Sequence, residues 1–170
     1  MQRRQLILVR HAKAESFARA DVERVLSADG LQDAALLGQL LADDGVRPDQ
    51  ARVSSAARTR ETWVQVAHGG GWHLEPSYEA ALYGIDEFGL VELLREVSAE
   101  TRSVLILGHN PTMENAARLL DDGRGPAAGA LARGTFPTAT AAIFNIDSGW
   151  NQIGEAMGRL ESLQVARAAG

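Results

Sequence analysis

The chain has 170 residues, a formal net charge of -5 and no cysteine. This length is enough for one domain with its own core, and the lack of cysteine excludes disulfide scaffolds, thiolate nucleophiles and Cys-rich zinc sites. The acidic balance argues against a nucleic-acid partner, because such domains usually carry a basic excess. No apolar run approaches the roughly 20 residues of a membrane span, and the N-terminus lacks the layout of a signal peptide. We therefore expect one cytoplasmic domain over residues 1–170, without a membrane or nucleic-acid partner.

The first predicted element is a short buried strand that ends at an arginine and a histidine. The apolar run 6–9 is followed at once by Arg10 and His11, and a second apolar run, 103–107, is followed by Gly108 and His109. Ligand-contacting side chains of open α/β sheets emerge at the carboxyl ends of the parallel strands. If both runs belong to one parallel sheet, the two histidines lie at the same edge.

The segment between the first strand and the first helix, residues 14–26, lacks a clean period, and we expect an active-site loop or a short irregular helix there. A helix then opens at residues 27–30 and ends near residue 45, with Asp29 and Gln32 arranged as a capping box. A second strand is predicted at 52–55, where Ser54 and Ser55 are placed to cap the following helix. The glycines at 69–71 end that helix, and residues 72–75 are predicted to form a third strand.

The second half of the chain continues the alternation of helices and strands. Helices are predicted over 86–97 and from Pro111 and Thr112 onward, and residues 121–134 are expected to form a surface loop. Strands at 138–146 and 150–153 are predicted to form a hairpin at one edge of the sheet. Residues from 158 onward are left unassigned. This order predicts a three-layer α/β/α sandwich with a mostly parallel central sheet.

Arg58 adds a third charged group, because it falls in the first turn of the helix that follows Ser54 and Ser55. A cation at the positive end of a helix is unfavourable unless an anion is shared there, although spacing alone leaves open that Arg58 only reaches into water. Together, Arg10, His11, Arg58 and His109 describe a site for a tetrahedral dianion, with two guanidinium groups and a second imidazole around a nucleophilic imidazole. Such a site favours a phosphoryl group.

Three segments resemble the signatures of the histidine phosphatase superfamily. Arg10-His11-Ala12 is similar to its Arg-His-Gly motif, with alanine in place of the more usual glycine. Residues 55–62 resemble its Ser-Pro-x-x-Arg-x-x-x-Thr segment, and 108–111 resemble its second-histidine motif. The short length and the segments 82–84, 136–138 and 158–160 resemble most the SixA-like phosphohistidine phosphatase branch, which has the phosphoglycerate-mutase-like fold.

The resemblance implies that His11 attacks phosphorus and becomes a phosphohistidine, which water then hydrolyses. Arg10, Arg58 and His109 would hold the equatorial oxygens, where charge is spread in the transition state. Thr138 is a further candidate for a hydroxyl contact, with the alternative that it only fills a strand end. The family implies no metal and no cofactor, and a phosphate or sulfate ion is expected to fit the site.

The leaving group distinguishes the possible substrates. Family members that cleave phosphate esters usually place a carboxylic acid near the leaving oxygen. Glu79 and Asp86 are the candidates here, with the alternative that each lies on a solvated loop or helix start. The SixA-like branch lacks that acid, and imidazole is a better leaving group than an alkoxide. We therefore expect a protein phosphohistidine substrate, such as a histidine-bearing phosphotransfer domain. The alternatives are a small-molecule phosphomonoesterase of the same superfamily and a non-catalytic module that binds a phosphorylated partner.

Overall fold

The structure is a computed structural model that describes residues 3–169, so Met1, Gln2 and Gly170 of the expected domain lie outside it. Six strands form one sheet: β1 Arg4–Arg10, β2 Gln50–Ser54, β3 Ser77–Glu79, β4 Ser103–Gly108, β5 Thr140–Ile146 and β6 Gly158–Val165. The helices are α1 Ala28–Asp43, α2 Ala57–Gly70, α3 Ala81–Gly84, α4 Glu87–Arg95, α5 Thr112–Leu120 and α6 Ala128–Arg133. No helix within residues 3–169 is long and apolar enough to span a membrane.

The strand order is β3-β2-β4-β1-β5-β6, and the pairs β3-β2, β2-β4 and β4-β1 are parallel. β5 pairs antiparallel with β1, and β6 pairs antiparallel with β5. β1 pairs with β4 in a register that sets Arg10 opposite Gly108. The residues that follow, His11 and His109, therefore leave the sheet side by side at its carboxyl edge, as predicted.

Successive residues of β1 face two separate cores, because side chains alternate across a strand. Leu6 and Leu8 pack into the core beneath α4, α5 and α6, whereas Ile7 and Val9 pack into the core beneath α1 and α2. Helices thus cover both faces of the sheet, and both faces of the central strands are buried, which explains their continuous apolar runs. The predicted three-layer α/β/α sandwich is confirmed.

The helices α1 and α2 approach each other closely at Gly38, where a Cβ atom would lie 2.1 Å from the carbonyl oxygen of Val66. Helix α1 begins after Ser27, whose Oγ accepts a hydrogen bond from the backbone N–H of Gly30 at 3.0 Å. The predicted capping box is wrong, because Asp29 already lies inside the first turn. Close packing of the two helices fixes the position of the N-terminus of α2, where Arg58 lies.

The start of α2 also differs from the prediction. Its N-cap is Ala56, without a side-chain cap, so Ser54 and Ser55 do not cap this helix. The helix ends at the glycines as predicted, with Gly71 in the left-handed conformation at φ 71°. Residues 72–75 are not a strand: Trp72 turns back and stacks on Trp63, with ring centroids 6.3 Å apart. The third strand is therefore the short β3, two residues further along.

Two predictions in the second half are wrong for reasons of packing. Residues 121–134 contain the short helix α6, whose Leu131 is buried in the core. Residues 150–152 form a 3₁₀ turn rather than a strand, since Trp150 is buried and its indole N–H donates to the carbonyl oxygen of Thr101 at 2.7 Å. The strand that pairs with β5 is instead β6, in the stretch that the sequence left unassigned.

Candidate active site

The two histidines that follow β1 and β4 come together at the edge of the sheet. The ring centroids of His11 and His109 are 5.4 Å apart, and both side chains are buried. Arg58 reaches the same place from the first turn of α2, where its Nε lies 3.3 Å from Nε2 of His11. Arg10 precedes His11 at the end of β1. The four residues singled out by the sequence thus belong to one site.

The hydrogen bonds of His11 define its protonation state. Its Nδ1 lies 2.7 Å from the carbonyl oxygen of Ala12, and because a carbonyl only accepts, Nδ1 carries the proton. Nε2 therefore has a lone pair, which accepts the hydrogen bond from Nε of Arg58. Burial lowers the pKa of His11 to about 4, and the neighbouring charges of Arg58 and Arg10 act in the same direction. At neutral pH the imidazole is uncharged, and its Nε2 lone pair becomes available as a nucleophile when an anion takes over the hydrogen bond from Arg58.

Arg58 is a buried cation held by several groups. Its Nη1 donates to the backbone oxygen of Asp21 at 2.9 Å, and its Nη2 donates to the Asp21 carboxylate at 3.1 Å. The hydroxyl of Thr62, one turn along α2, donates to the carbonyl oxygen of Arg58 and accepts the backbone N–H of Ala12. Thr62 therefore joins the start of α2 to the chain just after His11.

His109 uses one ring nitrogen for a hydrogen bond and leaves the other without a partner. Its Nε2 lies 2.7 Å from the hydroxyl oxygen of Ser54, whereas its buried Nδ1 has no hydrogen-bond partner among residues 3–169. The ring of Tyr83 packs edge-on against it, with centroids 5.4 Å apart. Burial lowers the pKa of His109 to about 3, helped by the nearby His11 and Arg58.

Arg10 is half-buried and is positioned by the chain segment before β5. Its Nη1 donates to the carbonyl oxygen of Phe136 at 3.1 Å, and the side-chain amide of Asn110 donates to the same oxygen at 2.8 Å. Nε of Arg10 is buried without a partner within the described chain, like Nδ1 of His109. Burial lowers the pKa of Arg10, while the nearby Glu114 opposes that shift. A site with two permanent cations and two unpartnered buried nitrogens suits an oxyanion with several acceptor oxygens.

Thr138 lies beside this site but its hydroxyl has another partner. The backbone N–H of the next residue, Ala139, donates to the carbonyl oxygen of His11 at 3.0 Å. The Thr138 hydroxyl accepts a hydrogen bond from Arg167 at 3.4 Å, and its carbonyl oxygen accepts another at 2.9 Å. The structure therefore ties Thr138 to Arg167 at the C-terminal segment.

The two candidate proton donors have structural partners instead. Glu79 forms a bidentate ion pair with Arg52, with N···O distances of 2.5 and 2.6 Å, and this pair lowers the pKa of the Glu79 carboxyl group. The Asp86 carboxylate accepts the backbone N–H of Gly89 at 2.8 Å and caps α4. Neither carboxylate fits the expected role of general acid, because the first is held ionised by Arg52 and the second is used as a helix cap.

Asp21 and Tyr83 are site residues that sequence reasoning missed. The Asp21 carboxylate accepts a hydrogen bond from the Tyr83 hydroxyl as well as from Arg58. The sequence placed Asp21 in an irregular loop, and no spacing connects it to a tyrosine about sixty residues away. The one signal was the segment 82–84, which resembled the SixA-like branch without indicating a role for its tyrosine.

Comparison with known proteins agrees with this geometry. Residues 6–105 match the family model of the histidine phosphatase superfamily (branch 1). A candidate phosphohistidine phosphatase SixA from Nakamurella multipartitia is 28% identical, with 99% of each chain covered and a TM-score of 0.85. A second candidate SixA, from Agrobacterium tumefaciens, is also 28% identical, covering 95% of this chain and 97% of that one with a TM-score of 0.79. The fold is also that of the protein histidine phosphatase SixA solved with tungstate, at 22% identity, 95% and 96% coverage and a TM-score of 0.76.

The family match spans more than half of the chain and includes most of β1, all of α2 and the first half of β4. The chain belongs to the histidine phosphatase superfamily. It is a phosphatase of the SixA-like branch, the class of enzyme that works through a phosphorylated histidine.

Proposed function

We propose that this phosphatase removes phosphoryl groups from protein phosphohistidine, with His11 as its nucleophile. The observation that carries the proposal is the state of His11: Nδ1 is bound to the carbonyl oxygen of Ala12, and the unprotonated Nε2 faces the guanidinium group of Arg58. A neutral imidazole beside a fixed cation is suited to attack an anionic phosphoryl group, because the cation neutralises the charge that would repel the nucleophile.

In the first step, Nε2 of His11 forms a bond to phosphorus while the bond from phosphorus to the leaving nitrogen breaks. The three equatorial oxygens carry the negative charge of the transition state. Arg10, Arg58 and His109 are assigned to these oxygens, and the unpartnered nitrogens of Arg10 and His109 are the groups with donor capacity to spare. In the second step, water attacks the phosphorylated His11, inorganic phosphate leaves and the neutral imidazole returns.

The proton that the leaving group needs distinguishes the possible substrate classes. An alkoxide leaves poorly unless an acid protonates it, whereas an imidazole leaves more readily. Glu79 and Asp86 are engaged by Arg52 and by the start of α4, so neither is placed to protonate an ester oxygen. The likeness to candidate phosphohistidine phosphatases supports the same substrate class.

The partner would be a phosphorylated protein in the cytoplasm, such as a histidine-bearing phosphotransfer domain. The loop over residues 14–26 borders the site through Asp21, and its Phe17 side chain is 92% exposed. A loop of this kind is where recognition of a protein partner is usually found. A small tetrahedral anion such as phosphate, sulfate or tungstate would bind at the same four residues. The protein histidine phosphatase SixA, a structural relative, was solved as a complex with tungstate.

The test offers the enzyme a peptide that carries phosphohistidine and, separately, a simple alkyl phosphate. Faster turnover of the peptide, by about 100-fold or more in kcat/KM, is expected if no general acid is present. Comparable turnover of both would instead identify a small-molecule phosphomonoesterase. Binding of the peptide without release of phosphate would identify a binding module and contradict the proposal.

A further inference from the structure

We propose that Asp21 is a positioning residue of the phosphatase reaction, which, together with the Tyr83 hydroxyl, holds the guanidinium group of Arg58 with Nε turned toward His11. This inference rests on the proposed role of Arg58 in binding the phosphoryl group. It assigns a function to the loop over residues 14–26, to which none of the four residues singled out by the sequence belongs.

The guanidinium group of Arg58 forms hydrogen bonds to different partners on its two sides. Both terminal nitrogens of Arg58 donate to Asp21, one to its backbone oxygen at 2.9 Å and one to its carboxylate at 3.1 Å. Nε, on the other side, points to Nε2 of His11 at 3.3 Å. A planar guanidinium group that is hydrogen-bonded at both terminal nitrogens cannot rotate freely. The direction of the Nε–H bond is therefore determined by the position of Asp21.

Asp21 is itself fixed by two further side chains. The Tyr83 hydroxyl donates to the same carboxylate oxygen as Arg58, at 2.5 Å, and Arg24 donates to the other carboxylate oxygen at 2.9 Å. Hydrogen bonding by Tyr83, followed by that of Arg24, lowers the pKa of Asp21 well below its usual range. The Tyr83 ring also packs against His109 and lies 5.9 Å from the guanidinium carbon of Arg58. One tyrosine thus contacts two of the three phosphoryl-binding side chains, His109 and Arg58, and the carboxylate that orients Arg58.

The exposure of the two side chains indicates that the ion pair of Asp21 and Arg58 positions Arg58 and contributes little to folding stability. The Arg58 side chain is 7% exposed, whereas that of Asp21 is 53% exposed. An ion pair with one partner largely in water contributes little to folding. A long arginine side chain, however, loses rotamer entropy when it is ordered. Asp21 orders Arg58 before substrate arrives, so this entropy is not lost in the chemical step.

Removal of Asp21 should therefore affect turnover more than binding. With Asp21→Ala we expect kcat to fall by about 10-fold, less than the about 10²- to 10³-fold expected for loss of Arg58 itself, since the cation remains but is misaligned. KM should change by less than about 3-fold, because an unneutralised Arg58 still attracts the phosphoryl group. Tyr83→Phe should lower kcat by about 3-fold, since the carboxylate keeps its contacts to Arg58 and Arg24.

The experiment is a double-mutant cycle of Asp21→Ala and Arg58→Ala with p-nitrophenyl phosphate, whose leaving group needs no acid. If Asp21 acts through Arg58, Asp21→Ala should change kcat by less than about 2-fold in the Arg58→Ala background. Glu23→Gln, which removes an exposed carboxylate from the same loop, is the matched control and should leave kcat unchanged. Asp21→Asn, which keeps the size of the side chain, repeats the cycle if the alanine variant folds poorly.

Three results would overturn the inference. Equal losses from Asp21→Ala with and without Arg58 would show that Asp21 acts independently of Arg58. A loss from Glu23→Gln as large as that from Asp21→Ala would indicate a general effect of loop charge. If Arg58→Ala alone has no effect on kcat, the proposed function fails and the inference fails with it.

Discussion

Nε2 of His109 lies 2.7 Å from the hydroxyl oxygen of Ser54, at the end of the neighbouring strand β2. Two arrangements of protons satisfy this contact, since either group can donate. If the Ser54 hydroxyl donates, the proton of the neutral imidazole is on Nδ1, which is the buried nitrogen without a partner. That tautomer lets an uncharged His109 donate to a phosphoryl oxygen. The role of Ser54 would then be to select this tautomer.

We predict that Ser54→Ala lowers kcat/KM for phosphorylated substrates by about 10-fold, because His109 then populates both tautomers and loses its orientation. Ser55→Ala, at the next position along the chain, is the control. Nitrogen chemical shifts of His109 would report the tautomer directly. A wild-type ring protonated at Nε2 rather than Nδ1 would contradict this account of Ser54.

Thr62 provides a prediction about stability. Its buried hydroxyl accepts the backbone N–H of Ala12 at 3.1 Å and donates to the carbonyl oxygen of Arg58 at 2.7 Å. Thr62→Val keeps the shape but leaves the N–H of Ala12 without its acceptor, so we expect a loss of about 1–3 kcal/mol in the free energy of unfolding. Thr135→Val, at an exposed position, should change it by less than about 0.5 kcal/mol. Equal urea midpoints for the two variants would rule out a structural role for the Thr62 hydroxyl.

The buried histidines should make folding sensitive to acid. Burial holds the pKa of His11 at about 4, against an ordinary value of 6.5 that the unfolded chain regains. Below pH 6.5 the unfolded chain therefore binds a proton that the folded protein does not. The contribution of His11 to the free energy of unfolding is thus fully present above pH 6.5 and falls progressively as the pH drops toward 4. For His11 this amounts to about 2 kcal/mol between pH 7 and pH 5.

The measurement is urea unfolding of the wild type and of His11→Asn at pH 7 and pH 5, in buffers free of phosphate. The asparagine variant should lose about 2 kcal/mol less than the wild type over this interval, since other titrating groups contribute to both proteins alike. The same loss in both proteins would mean that His11 titrates normally in the folded state.

The parts of the fold that the sequence predicted best are those where local pattern and tertiary environment agree. β1 and β4 are central strands buried on both faces, so their apolar runs are continuous, and the register of Arg10 with Gly108 brings the two histidines together. The sequence patterns of elements at the edge of the sheet are weaker predictors of their structure. β6 is mostly half-exposed, and its mixed sequence resembles a loop as much as a strand. The apolar residues around Trp150 were predicted as a strand because burial alone does not distinguish a strand from a packed turn.

In the site, too, residues placed by local sequence order could be predicted, whereas residues placed by tertiary contacts could not. Arg10 ends β1, and His11 and His109 directly follow β1 and β4, so sequence order alone indicates their place in a parallel sheet. Asp21 lies in a short 3₁₀ turn, Asp21–Glu23, between β1 and α1, where side-chain contacts with Arg58 and Tyr83 determine its position. Ser54 looked like a helix cap because its spacing to α2 fits one, but its hydroxyl instead contacts His109, a residue supplied by another strand.

The central claim is that Nε2 of His11 receives the phosphoryl group, and a rapid-quench experiment with a radiolabelled phosphohistidine peptide tests it most directly. We expect an acid-labile, alkali-stable phosphoryl adduct on His11 that forms and decays at rates consistent with kcat, and its complete loss in His11→Asn. An adduct on another residue, or an active His11→Asn enzyme, would contradict the claim.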